Sequence, residues 1–236
     1  ALETALGVTP PKNARIIRNL IKAAQWLHDH VMHFYVLNGP DWMDLESAVS
    51  ADPVKTAALA ASVTDTPYNA SRGNYESAVK KLKSLCRQGP FANAYWGHSA
   101  YKLSPEANLI IAAHYLDALS IQRTAARAMA IFGGKNPHPQ CLIIGGVTCV
   151  VDALDETRVN TYLSLMQEVQ DFVERAYLPD LLLVASAYKD EGVQGIGAGC
   201  QNLLTYGCFP AADNAASYLF SSGVIIGGSL ANVSGM

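Results

Sequence analysis

Three stretches of helical periodicity, each about thirty residues long, limit what this 236-residue chain can fold into. The first opens at Thr9-Pro10-Pro11, where proline suits a first helical turn because its missing N–H is not needed there. Ile16, Ile17, Leu20, Ala23, Ala24, Leu27, Val31, Phe34 and Tyr35 then recur at helical spacing to about Leu37, and Asn38-Gly39-Pro40 ends the run. A helix of that length spans ~40 Å, which makes it a strut through a core. The second stretch opens at Ser104-Pro105-Glu106: a capping hydroxyl, a proline and a carboxylate at the positive end of the helix dipole. It runs to about Phe132 and stops at Gly133-Gly134. The third runs from Glu156 to about Tyr188, with an interruption at Pro179.

Shorter elements fill the spaces between. Helices are expected over Trp42–Val49, Pro53–Val63 and Glu76–Arg87, with a loop from Asp65 to Asn74. The lysines at 80, 81 and 83 form a solvated outer face. Cys141 to Val151 is apolar and β-branched, and reads as short strands bent at Gly145-Gly146. After Tyr188 the chain reads as loop and short strand, including Val224-Ile225-Ile226 before Gly227-Gly228. No repeat, low-complexity tract or linker divides it. The expectation is a mainly α fold, a long-helix bundle with small β elements, in one domain without an internal boundary. Residues Ala231 to Met236 offer no closing element, and the chain starts without a Met, as expected of a processed product or an excerpt.

Charge narrows the function. Charged residues make up 16% of the chain, against roughly 25% in an ordinary soluble domain, so much of the surface is expected to lie against a partner or the rest of a larger assembly. A net charge of −3 leaves no basic footprint for nucleic acid. No apolar run reaches the roughly 18–20 residues that cross a bilayer, and the N-terminus lacks the basic-then-apolar pattern of a signal peptide. The five cysteines (86, 141, 149, 200 and 208) are odd in number and widely spaced, without a Cys-x-x-Cys pair. That argues against a disulfide framework or an independent zinc site.

Several local patterns fail on their own chemistry. Gly195-Ile196-Gly197-Ala198-Gly199 has Cys200 where a dinucleotide loop needs glycine, and Gly133-Gly134-Lys135 is followed by Asn136 instead of Ser or Thr. Gly97-His98-Ser99-Ala100-Tyr101 has Tyr where a nucleophile elbow needs glycine. Asn69-Ala70-Ser71 and Asn232-Val233-Ser234 fit the glycosylation pattern only as short matches do by chance. Two runs carry more. In His28-Asp29-His30-x-x-His33, Asp29 and His33 share a helix face, and Asp29 stands among mostly apolar neighbours. A carboxylate buried there must be paired, hydrogen-bonded or functional; satisfied core histidines are the plainer reading. In Phe132-Gly133-Gly134-Lys135-Asn136-Pro137-His138-Pro139, prolines fix the backbone on both sides of His138, which suits either a specific contact or a plain turn.

Taken with Asp41-Trp42, Asp44, Gly89-Pro90-Phe91, Asn93-Ala94-Tyr95-Trp96-Gly97-His98, Pro105-Glu106-Ala107-Asn108-Leu109, Ala113-His114-Tyr115-Leu116 and Gly145-Gly146-Val147-Thr148-Cys149, these runs resemble nickel–iron hydrogenase large subunits. The ordered matches cover about residues 10 to 210, weakening towards Val233, and look most like the membrane-associated respiratory uptake type. The resemblance implies a subunit that oxidises H2 to protons and electrons at a Ni–Fe(CN)2(CO) centre held by four thiolates, which are soft donors that suit nickel. It also implies a small subunit with iron–sulfur clusters, maturation proteins, attachment to the membrane through partner subunits, and a periplasmic location. The family's two cysteine motifs are missing from this sequence, so it implies no metal ligand and no cofactor-binding residue here. It places Asp29 in a canopy above the metals, orienting an arginine from a segment outside this chain. It places His138 where the small subunit's proximal cluster lies, and His28, His30 and His33 around the same canopy. Two rivals stand beside this reading. One is a non-catalytic scaffold or assembly piece; the other is a quinone-reductase-branch relative without nickel, which the Gly133–Pro139 run disfavours.

Overall fold

In the computed structural model, which describes residues 2–231, the chain is mainly helical with two small antiparallel sheets. A short helix α1 (Leu2–Ala5) precedes α2 (Lys12–Val31), which passes into a π-helical turn at Met32–Leu37. Then come α3 (Gly39–Trp42), α4 (Leu45–Ser50), α5 (Pro53–Val63), α6 (Arg72–Leu85), a 3-10 turn at Gly89–Asn93, and α7 (Pro105–Gly133). The hairpin β1 (Leu142–Ile143) and β2 (Gly146–Val147) follows, then α8 (Val150–Leu154) and α9 (Glu156–Phe172). A second π turn (Val173–Tyr177) leads into α10 (Leu178–Ala187) and α11 (Lys189–Val193), and the chain closes on β3 (Leu203–Pro210), β4 (Tyr218–Ile226) and β5 (Ser229–Ala231). No helix among the described residues is long and apolar enough to cross a membrane.

Local chemistry sets most boundaries. Ser104 Oγ accepts the Ala107 N–H at 3.2 Å and so caps α7; at the other end Gly134 takes φ +81°, its N–H reaching the Ala130 carbonyl at 2.9 Å. The helix expected over Trp42–Val49 is two helices. Asp44 is extended and caps α4, accepting from the amides of Glu46 (2.9 Å) and Ser47 (3.2 Å), which ends α3 before it. Helix α6 starts four residues before the expected Glu76, because Ser71 accepts the Asn74 N–H at 3.2 Å and pulls the end of the expected loop into the helix.

Pro179 lacks the N–H that the Arg175 carbonyl would receive in an α-helix. The π turn absorbs the mismatch, and the Tyr68 N–H donates to that carbonyl instead, at 3.2 Å. Pro179 therefore sits at the start of α10 and does not break the run.

The described residues group into two compact units. The first comprises, of the described residues, 2–25, 126–163 and 190–231, with a core of Ala14, Ile17, Ile21, Met129, Phe132 and Tyr162. The second comprises residues 26–125 and 164–189, built around Tyr35, Met43, Leu109, Ile111, Val169 and Phe172.

The three-stranded sheet of the first unit departs most from expectation. Strand β3, in a stretch expected as loop and short strand without a placed element, pairs with β4 from Leu203↔Ile225 to Pro210↔Tyr218, and β4 pairs with β5 across Gly227-Gly228, both at positive φ as a two-residue type I′ hairpin requires. Within β3, Gly207 sits at φ +80°, and a Cβ there would lie 3.2 Å from the Phe220 carbonyl oxygen and the Ser222 nitrogen. Gly207→Ala is expected to cost about 1–3 kcal/mol, from the left-handed backbone together with this contact. A lowered denaturant midpoint with an unchanged slope checks it. The sequon Asn232-Val233-Ser234 and the expected unclosed end beyond Ala231 lie outside the described residues.

Candidate functional site

His28, Asp29 and His33 belong to the second unit, on α2 and the π turn after it. The helix turns Val31 and Tyr35 inward, which leaves positions 29, 30 and 33 on the outside. His28 Nδ1 lies 2.9 Å from Asp29 Oδ1, and its Nε2 lies 3.0 Å from Gln122 Oε1 on α7. The Asp29 side chain is 58% exposed. The expectation of a buried carboxylate at this position is therefore corrected: the apolar stripe of α2 faces another way, and His28 is Asp29's polar neighbour.

The buried carboxylate of this unit is Asp180, only 2% exposed. Its Oδ2 accepts the Tyr35 hydroxyl at 2.7 Å and lies 2.7 Å from His114 Nδ1. His114, 4% exposed, has its other nitrogen 3.2 Å from the Tyr68 carbonyl. Both ring nitrogens thus face acceptors, the arrangement that suits an imidazolium with two N–H donors. Burial pulls the His114 pKa down, but the Asp180 charge and hydrogen bond, with the Tyr68 carbonyl and Asp117, outweigh it, and the balance is upward. Burial and then Asp180 push the Tyr35 hydroxyl far up. Because the folded His114 pKa lies above the ordinary 6.5, its contribution is complete below that pH and fades as pH rises through the folded value. Urea midpoints between pH 5 and pH 9 are expected to fall on the alkaline side, and His114→Gln is expected to flatten that slope.

Three of the stretches that carry the resemblance also meet in this unit. Asp44 Oδ2 accepts the Gly97 N–H at 2.8 Å, and Asn108 Oδ1 accepts the Asp44 N–H at 2.9 Å. Asn108 in turn donates to the Leu103 carbonyl at 3.2 Å. Asp44 and Asn108 are buried, so these bonds account for polar groups that the interior would otherwise penalise.

In the first unit Arg18 is the hub. Its guanidinium donates to Glu3 Oε1 at 2.7 Å and Oε2 at 3.1 Å, and to the carbonyls of Ile143 (2.7 Å) and Gly146 (2.9 Å). Glu3 also accepts the Gly145 N–H at 2.7 Å. The Arg18 bond, then the Gly145 bond, hold the Glu3 carboxyl below its usual range. This clamp fixes the β1–β2 hairpin, one wall of an apolar groove of about 580 Å3 that includes Ile16, Leu20, Phe132, Val150 and Tyr162. His138 lies in the loop before the hairpin; it is exposed, at φ +63°, after a cis Asn136–Pro137 bond. The Gln140 N–H closes that loop onto the Gly133 carbonyl at 2.8 Å.

His28 and Asp29 are thus in contact, while His138 belongs to the other unit. Sequence reasoning missed Asp180, His114, Arg18 and Glu3. A carboxylate inside the apolar run Leu178–Ala187 was the signal for the first of these. Among the described residues no group of three or more His, Cys, Asp or Glu could hold a metal ion. Cys141, Cys149 and Cys208 are buried; burial and the neighbouring Cys141 push the Cys149 thiol up to about 11.

Comparison with known proteins gives this geometry its family. The nickel-dependent hydrogenase family matches residues 1–236. The quinone-reactive Ni/Fe-hydrogenase large chain of Wolinella succinogenes is 43% identical over 236 residues, which cover 99% of this chain and 41% of that one. The uptake hydrogenase large subunit of Rhizobium leguminosarum bv. viciae is 44% identical over 247 residues, at the same coverage. Among solved structures, the Ni-Fe-Se hydrogenase from D. vulgaris Hildenborough superposes with a TM-score of 0.73 at 27% identity, over 99% of this chain and 39% of that one. This chain spans about two-fifths of the length of the curated relatives it matches. With a family match along all 236 residues and the same long-helix architecture, the chain belongs to the nickel-dependent hydrogenases.

Proposed function

We propose that this chain is part of the catalytic large subunit of a nickel–iron hydrogenase that oxidises H2 to two protons and two electrons. The observation that carries the reading is 43–44% identity, along essentially the whole chain, to hydrogenase large subunits. Both compact units then belong to one large-subunit catalytic domain. The described residues do not supply a ligand set for a nickel–iron centre. In this reading its thiolates, and the cyanide and carbon monoxide that maturation proteins install, belong to regions of the subunit outside these 236 residues. Electrons leave to a small iron–sulfur subunit, which with further partners attaches the enzyme to the periplasmic face of the membrane. The low charge content and the exposed apolar residues of β3 and β4 (Leu203, Leu204, Leu219 and Phe220) support a heterodimer with extensive covered surface.

Within that enzyme Asp29 is the canopy carboxylate. Its outward position leaves an oxygen free for an arginine from elsewhere in the subunit, and the His28–Gln122 bridge holds it in place. His33 shares its helix face, and His138 faces the small subunit. The test is to purify the complete protein with its co-purifying chain, assay H2-dependent reduction of a viologen dye, and measure nickel. Activity with about one nickel per heterodimer is expected. A complete, nickel-loaded protein that reduces no dye under H2 sinks the catalytic reading. Stoichiometric nickel in the isolated 236-residue chain would overturn the placement of the ligands outside it.

A further inference from the structure

Two polar atoms beside His114 lack a protein partner. Tyr75 on α6 is 1% exposed, and its hydroxyl has no hydrogen-bond partner among the described residues. Both hydrogen bonds that reach Asp180 fall on Oδ2, which leaves Oδ1 without a donor among the described residues. Each residue borders a space. Tyr75 lines a cleft of about 210 Å3 with Asn69, Asn74, Lys81, His114 and Asp117. Asp180 borders a space of only about 10 Å3 whose walls are mostly apolar, among them Val63, Ile110 and Leu183. We infer that the larger cleft is a hydration site, and that water bound there satisfies the buried Tyr75 hydroxyl beside His114.

The chemistry of the walls selects water. A cavity lined by aliphatic groups stays dry, whereas a polar one of at least one probe volume holds water when it offers two to four partners. The cleft offers two amides, two hydroxyls, an ammonium and a carboxylate, whereas the small space, with mostly apolar walls, fails that criterion. With Lys81 and His114 beside Asp117, the cleft carries no net negative charge that would recruit a cation. Because His114 also lines the cleft, water there reaches the edge of the buried ion pair.

Tyr75→Phe in the complete protein separates a hydrated hydroxyl from an orphaned one by sign. Removing a hydroxyl that bonds to water loses that bond, whereas removing an unsatisfied one relieves a penalty. A Tm lowered by about 2 °C is expected; an unchanged or raised Tm overturns the inference. A crystal structure of the unsubstituted complete protein, refined with waters, decides independently. Ordered water within hydrogen-bond distance of Tyr75 Oη is expected. A protein partner on that hydroxyl, a cation in the cleft found by rubidium soaking, or empty density overturns it.

Discussion

Asp180→Asn is expected to be the most damaging conservative substitution in the second unit, costing about 3–5 kcal/mol, the range for removing one partner of a buried ion pair. The side chain keeps its size, so the loss is electrostatic. His114 retains a buried charge without its counter-ion, and Tyr35 exchanges a carboxylate acceptor for an amide. His114 can respond by releasing its proton, which ties the effect to pH. The variant is expected to lose the alkaline fall in stability shown by the parent, because the charge whose loss causes that fall is no longer held. Urea unfolding across pH, with hydrogen exchange at the α7 and α10 amides, measures both. A destabilisation under about 1 kcal/mol, far below the range for a broken buried pair, or a parent profile that rises towards alkaline pH, would contradict the imidazolium assignment.

Arg18→Lys is expected to cost about 3 kcal/mol in the first unit, although both residues are cations. A guanidinium spreads its donors in a plane and reaches a carboxylate and two carbonyls together, which an ammonium at the end of a narrower chain does not. Bonds to charged groups contribute roughly 1.5–3 kcal/mol each, and a lysine is expected to keep only the bond to Glu3. The carbonyls of Ile143 and Gly146 then lose their donor, and the hairpin wall of the apolar groove loosens. Acid provides the second readout. Glu3 titrates below its usual 4.5, so its contribution is present above that pH and fades as pH falls through the folded value. The fade should shrink in the variant. Equal stability of the parent and the Arg18→Lys variant would show that the clamp is incidental.

The legible parts of the fold were those that local chemistry determines. A periodic run between Pro10 and Asn38, a hydroxyl at Ser104 before a proline, and glycines at 133 and 134 each specify their element without help from distant residues. Strand β3 was not legible because its partner β4 is joined to it by a loop, both faces carry apolar side chains, and Gly207 breaks the alternation. The rule that a charge among apolar neighbours needs a partner held, but it applied to Asp180 and not to Asp29. Along α2 the apolar positions share the face of Val31 and Tyr35, and the same periodicity puts Asp29 on the opposite side. For Asp180 the surrounding run, Leu178–Ala187, is largely apolar on every side, and only the structure shows that Asp180 and Val184 face inward while Leu178 and Leu182 are exposed. The stretches shared with hydrogenase large subunits were legible as a pattern, but the bonds that join Asp44, Gly97 and Asn108 were visible only in three dimensions.

The proline in the third long helix has one more consequence. Its lost amide leaves the Arg175 carbonyl to Tyr68, while the Arg175 side chain reaches back to the carbonyls of Thr66 (2.9 Å) and Pro67 (3.2 Å). One residue thereby grips three consecutive positions of a surface connection with its main chain and its side chain, as a buckle holds a strap. Surface connections usually accept extra residues freely. Here, lengthening the segment by a single residue between 65 and 68 would unfasten all three attachments together.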